Sequence, residues 1–171
     1  LGTKRMRAAL GDGYVDALRG AYAGEVEDNA DLVMYWWHRA AQGLQADKLR
    51  RFGLITTNSI GQVFNRRVLQ RHLDEGVTLM WAVPDHPWVD DASHAAVRIA
   101  MTVASRRGEG PARLVTVTRE HPSRVPGEPP EVEVSAGNVD VIGPDLGGET
   151  RTTKVTALTA NRGICGNGVA L

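Results

Sequence analysis

The chain has 171 residues, of which 42% are hydrophobic and 5% aromatic, four of them Trp. That is material for one ordinary domain or a domain and a half. Twenty basic and twenty acidic residues cancel, which argues against a free-standing nucleic-acid module held by long-range attraction but leaves room for a local basic strip. A single cysteine, Cys165, excludes an intrachain disulfide framework and fits a reducing compartment. No run approaches ~18 apolar residues, so no membrane span is expected. Leu1-Gly2-Thr3-Lys4-Arg5-Met6-Arg7 is charged but has no apolar run behind it, unlike a signal peptide. Both ends read as cut from a longer chain.

In chain order, residues 4–22 read as one or two short helices interrupted near Gly11, with Asp12 a possible cap for the second. Asn29 is placed to cap a strong helix over about 30–46. Its apolar stripe is read as Leu32, Val33, Trp36, Trp37, Ala40, Ala41 and Leu44. Phe52–Thr57 is short, apolar and β-branched, the pattern of a buried strand. A helix over about 61–75 follows, with Val63, Phe64, Val68 and Leu69 inward and Gly76 as its C′ glycine. Val77–Val83 and Ala95–Ala104 read as the second and third strands. The alternation of helix and strand implies an α/β layered fold. Composition shifts near residue 107. Beyond it, Leu114–Thr118 and Glu131–Ser135 read as strands around a Pro-rich turn, and Gly and Pro dominate 137–148. One domain is therefore expected over 1–107, and a β- and loop-rich segment over 108–171.

Several site types are missing: a Cys pair or His-Glu-x-x-His for zinc, a Walker loop, a Gly-x-Gly-x-x-Gly after a strand, and a Gly-x-Ser-x-Gly elbow. The densest polar cluster runs from Asp85 to His94, read as an inter-strand loop. Asp85, His86, Asp90 and His94 form a metal set on one reading and a solvated loop on the blander one. Trp88 either plugs the core edge or offers a stacking face. Asn58 and Ser59 either line the C-terminal edge of a parallel sheet, where ligands bind, or cap a helix. Tyr35-Trp36-Trp37 reads as core packing before a cofactor surface. Lys4, Arg5 and Arg7 either hold phosphates or form a solvated face.

The order of these pieces carries more than any one of them. Ala30–Trp37 is followed by Gly53–Ile60, then by Asn65-Arg66-Arg67-Val68-Leu69, Pro87-Trp88-Val89 and Ala96-Val97-Arg98-Ile99. This series, over about residues 1–105, resembles the amino-type DNA adenine methyltransferases, nearest the large type IIG and IIL enzymes that are fused to a nuclease or work with one. The resemblance implies the second half of a Rossmann-like sheet that binds S-adenosylmethionine. It places the catalytic Asn-Pro-Pro-Tyr or Asn-Pro-Pro-Phe just before Leu1 and the cofactor's glycine-rich loop further upstream. No catalytic residue is then expected within the chain, and the isolated chain is expected to be inactive.

By position, Asp31 and Tyr35 would border the cofactor pocket. Asn58, Pro87 and Trp88 would line the target-base pocket, with Trp88 stacking on the extruded adenine. Lys4, Arg5 and Arg7 would touch DNA phosphates. Thr152–Asn161 and Gly163-Ile164-Cys165 resemble the start of the target-recognition domain of the same enzymes. The implied partners are double-stranded DNA and a fused or separate nuclease, in the bacterial cytoplasm, with no metal. The competing readings are a non-catalytic α/β interaction module, or a related enzyme acting on RNA or on a protein glutamine.

Overall fold

A computed structural model describes residues 2–89, 96–106, 110–123, 128 and 130–148. Helices α1 (Thr3–Leu10) and α2 (Asp12–Ala21) are followed by α3 (Val33–Gln45) and strand β1 (Arg51–Thr57). A 3-10 turn over Asn58–Gly61 leads into α4 (Val63–Asp74), then β2 (Val77–Val89) and β3 (Ala96–Arg106). Strands β4 (Ala112–His121) and β5 (Glu131–Val139) complete the order. The fold is α/β, as expected from the alternation. No helix among the described residues is long and apolar enough to cross a membrane.

The five strands form one sheet in the order β1-β3-β2-β4-β5. Strand β3 runs antiparallel to both β1 and β2. Strands β1 and β2 are therefore parallel to each other, joined by a crossover through α4, with β3 slotted between them. Strand β4 pairs in parallel with β2 at Trp81↔Arg113 and Ala82↔Leu114, so the sheet continues past the compositional shift near residue 107. The Gly- and Pro-rich stretch is not all loop, because residues 137–139 belong to β5. The chain then turns back onto the core through buried Ile142 and Leu146. Gly148 closes this return, since a Cβ there would come within 2.9 Å of Val139.

Cross-strand partners share a face. Phe52↔Ala104 and Leu54↔Thr102 on β1 and β3, with Leu79 and Ala82 on β2, form the face packed against α3 and α4. Trp37, fully buried, is the pivot of that layer. Its ring meets Phe52 edge-on at 5.2 Å and His72 at 5.8 Å. Ile55, Trp81, Met101 and Val103 lie on the other face, outside this core.

Both long helices are rotated from the hydrophobic reading, for one reason. The buried stripe of α4 is Asn65, Val68, Leu69 and His72, while Val63 and Phe64 are exposed. Helix α3 buries Met34, Tyr35, Trp37, His38, Ala41 and Leu44 and leaves Trp36 59% exposed. Polar side chains occupy the buried stripes because they pair there. Glu25 accepts from His38 Nε2–H at 2.7 Å. That leaves His38 Nδ1 to accept from His72 Nε2–H at 2.9 Å. Nor does α3 begin at residue 30 under an Asn29 cap. Asp31 is held outside the helix by Asn65 and Ser59, and the helix starts at Val33.

His72 is pushed down to about 4, by burial first and then by the neighbouring His38 and Arg71, against the opposing pull of Glu75 and Glu25. An unfolded imidazole titrates near 6.5. Between those values the unfolded chain binds a proton that the folded chain refuses. Stability is thus full above pH 6.5 and falls as pH drops toward 4. Urea unfolding should show a loss on the order of 3 kcal/mol across that window from this group. His72→Gln keeps a donor for His38 and should flatten the slope. An unchanged slope in the variant would contradict the assignment.

Candidate functional site

The polar groups gather where β1 ends, beside Asp85 of β2. The turn Asn58–Gly61 is pinned to the core by Ile60, which is 1% exposed. With Ile60 fixed, its two predecessors reach in different directions. Asn58 Nδ2 donates to Asp85 Oδ1 at 3.1 Å. Ser59 Oγ donates to Asp31 Oδ2 at 2.6 Å, and the Thr57 hydroxyl lies 2.6 Å from Ser59 Oγ. Neither Asn58 nor Ser59 stands at the N-cap of α4, which is Gln62 and makes no side-chain capping bond.

Asp31 is organised by buried Asn65. Asn65 Oδ1 accepts the Asp31 backbone N–H at 2.8 Å. Its Nδ2 donates to Asp31 Oδ2 at 2.9 Å and to the Ser59 carbonyl at 2.8 Å. Asp31 Oδ2 is thereby saturated. Oδ1 takes no hydrogen bond from the described side chains and lies 3.4 Å from where a Cβ on Gly2 would stand. Asp31 also lines an open cleft of about 520 Å³, together with Lys4, Arg5, Thr57, Ser59 and Gln62. Two cations and one carboxylate thus share a rim, a setting for a ligand with both an anionic group and a hydrogen-bond donor.

The second cluster centres on Arg98. Its Nε and Nη2 grip the two oxygens of Asp85 at 2.7 and 2.6 Å, and Nη1 reaches Glu120 Oε1 at 2.6 Å. The fork of the guanidinium matches a carboxylate bidentately. This grip holds the Asp85 carboxyl below its usual range, with the Asn58 amide adding to the effect. Asp85 sits in a bulge, where the pairing of β2 with β3 shifts register between Val83 and His86. Such an extra residue bends a strand and turns its continuation.

Asp85–Val89 is therefore not the loop that the sequence suggested. It is the outer part of β2, paired with Ala96–Ile99. Trp88 pairs with Val97 and Pro87 with Arg98, so Trp88 and Pro87 occupy opposite faces of this two-stranded arm. Pro87 is buried. Trp88 is 47% exposed and Val97 37%. His86 Nδ1–H donates to the Pro87 carbonyl at 2.6 Å. Of the four groups in the metal reading, Asp90 and His94 lie outside the described residues, and Asp85 is engaged by Arg98. Among the described residues no cluster of three potential metal ligands occurs.

The remaining candidates fall elsewhere. Arg7 is bound to Asp12 at 2.8 Å and Asp16 at 2.6 Å, tying α1 to α2, and is not part of the cleft lining. Tyr35 is buried and meets Tyr22 edge-on at 5.1 Å; burial raises its hydroxyl's pKa. The tail segments 152–161 and 163–165 lie outside the described residues. Sequence reading missed Asn65, Arg98 and Glu120 as parts of the site. Asn65 and Arg98 stood inside quoted segments, but nothing in their spacing said which groups they would meet.

No protein-family model matches the sequence, and no curated protein matches it either. Among solved structures the chain is similar to the type IIL restriction-modification enzyme MmeI in complex with DNA. The likeness has a TM-score of 0.63 at 22% sequence identity and covers 82% of this chain. The chain spans 18% of the length of that enzyme. At this identity the likeness establishes the fold.

Asn65→Leu removes three hydrogen bonds and leaves the Asp31 N–H and Ser59 carbonyl short of a partner. It should cost roughly 1–3 kcal/mol in urea unfolding. Asn65→Asp instead sets a second carboxyl against Asp31. One of the pair is then forced to keep its proton, so the variant should lose stability as pH rises from 4 to 7. A stability that does not fall over this range would show that the two groups are not in contact.

Proposed function

We propose that this chain is the target-base half of a site-specific DNA adenine-N6 methyltransferase of restriction-modification type, with S-adenosylmethionine as methyl donor. The observation that carries the reading is the fold likeness to a restriction-modification enzyme solved with DNA. The order of five sequence segments points to the same enzyme class. Catalysis belongs to the whole protein, with the Asn-Pro-Pro tetrapeptide expected immediately upstream of Leu1. The isolated chain has no methyltransferase activity of its own.

The chemistry required of this half is positioning. The adenine amino group lies inside the duplex, so the base must leave the stack and be held in a pocket. Trp88 supplies the aromatic platform, worth roughly 1–3 kcal/mol per base. Lys4 and Arg5 supply cationic contacts for the adjoining phosphates. Asp31, in the lining of the cleft, fits the hydroxyl and amine donors of S-adenosylmethionine at the border of its pocket. That cofactor, when bound, supplies the activated methyl group. The residues of this chain orient the base and exclude water around it.

A second reading, a non-catalytic interaction module, rests on the sheet face that carries Ile55, which is 61% exposed. The coding sequence upstream of Leu1 separates the two. Asn-Pro-Pro-Phe or Asn-Pro-Pro-Tyr followed directly by this chain, with a glycine-rich strand–turn–helix further up, is the expected result. A start codon at this point, with no such motif, would leave the interaction module as the better reading. In the full-length protein, Trp88→Ala should lower duplex methylation about tenfold or more. Unchanged methylation would remove the stacking role.

A further inference from the structure

The arm that carries Trp88 has a mechanical difficulty. Beyond the bulge at Pro84-Asp85, β2 and β3 continue as a pair past Thr57, the last β1 residue paired with β3. An isolated two-stranded ribbon is marginal in water, and stacking on a base needs a fixed ring. Among the described residues, a side-chain clamp ties this arm to the rest of the sheet. Arg98, on the arm's inner face opposite Pro87, grips Asp85 of the bulge with two hydrogen bonds and Glu120 of β4 with a third. Asn58, at the end of β1, adds a bond to the same Asp85. One guanidinium thus joins the outer ends of β2, β3 and β4, and Asp85 extends the tie to β1. Trp88 stands on the opposite face of the arm, one residue from Pro87 and one pair away from Arg98.

We propose that Arg98 is the positioning residue for Trp88: through Asp85 and Glu120 it sets the angle at which the β2–β3 arm presents the indole to an extruded base. The proposal rests on the reading of Trp88 as the stacking platform. Arg98 itself touches no substrate. Its fork is needed, because a lysine offers a point charge that cannot grip Asp85 bidentately while also reaching Glu120. The groups are partly exposed, with side-chain accessibilities of 37% for Arg98, 49% for Asp85 and 39% for Glu120. The clamp should accordingly weaken as salt rises.

The test is a double-mutant cycle in the full-length protein, using duplexes with 2-aminopurine at the target position and single-turnover methylation. Arg98→Met should lower the methylation rate about tenfold and diminish the 2-aminopurine signal, with DNA affinity within about twofold of the parent. Arg98→Lys should fall in between and serves if the Met variant folds poorly. In a Trp88→Ala background, either change should add almost nothing, because Arg98 acts through the indole. Full additivity of the two losses would overturn the clamp, as would an Arg98 variant with parental rate and fluorescence. A Trp88→Ala variant with parental behaviour would remove the stacking reading itself and the clamp with it. The two failures are thus separable by the single Trp88 variant.

Discussion

The turn that closes β1 hydrogen-bonds to two carboxylates at once, and the candidate site depends on that arrangement. Ile60 is driven into the core, where α4 and the sheet enclose it. Its burial fixes the backbone of Asn58 and Ser59, so one amide meets Asp85 and one hydroxyl meets Asp31. The first bond joins β1 to the bulge of β2. The second joins it to the start of α3. Without a buried anchor the turn would be an exposed loop, and the cleft beside Lys4 and Arg5 would lose its floor. The antiparallel β3 lies between the two parallel strands, and its pairing with β2 runs on past the end of β1 as the arm that carries Trp88.

Buried polar pairs, more than hydrophobic pattern, set how the helices face the sheet. Asn65, His38 and His72 are each within 5% of full burial, a costly position for a polar side chain without a partner. Each has one. The Glu25–His38–His72 chain fixes α3 against α4, and Asn65 fixes α4 against the start of α3. Such bonds are geometrically demanding, so they select one rotation of each helix where apolar contact alone would tolerate several.

Much of the fold was legible from the sequence. The α1–α2 break at Gly11, the strands β1 to β3 and the C′ glycine Gly76 (φ 100°) follow from periodicity and glycine placement. The α/β alternation needed nothing more. Three things were not legible. Helix rotation was misread because His38, Asn65 and His72 count as polar in any hydrophobic stripe, while the side chains they pair with lie 13 to 34 residues away. The end of β2 was misread as a loop because Pro84, Asp85 and Pro87 are turn-formers. Here Pro84 and Asp85 occupy a bulge, and Pro87 opposes Arg98 beyond it. Glu120 gave no signal because β4 returns to β2 only through long-range pairing. At the site, Asp31, Lys4 and Arg5 converge on one cleft, whereas Arg7 is spent on Asp12 and Asp16.

The central claim is that Trp88 meets the target base. Photo-cross-linking addresses it directly, with the full-length protein and a duplex that carries 5-iodouracil in place of the target adenine. Ring-to-ring contact favours transfer to an aromatic side chain, and tandem mass spectrometry of the tryptic peptide His72–Arg98 separates Trp88 from Trp81. A cross-link at Trp88, abolished by competitor duplex with the recognition site, is the expected result. A cross-link at Trp81, or at any residue outside the β2–β3 arm, would contradict it.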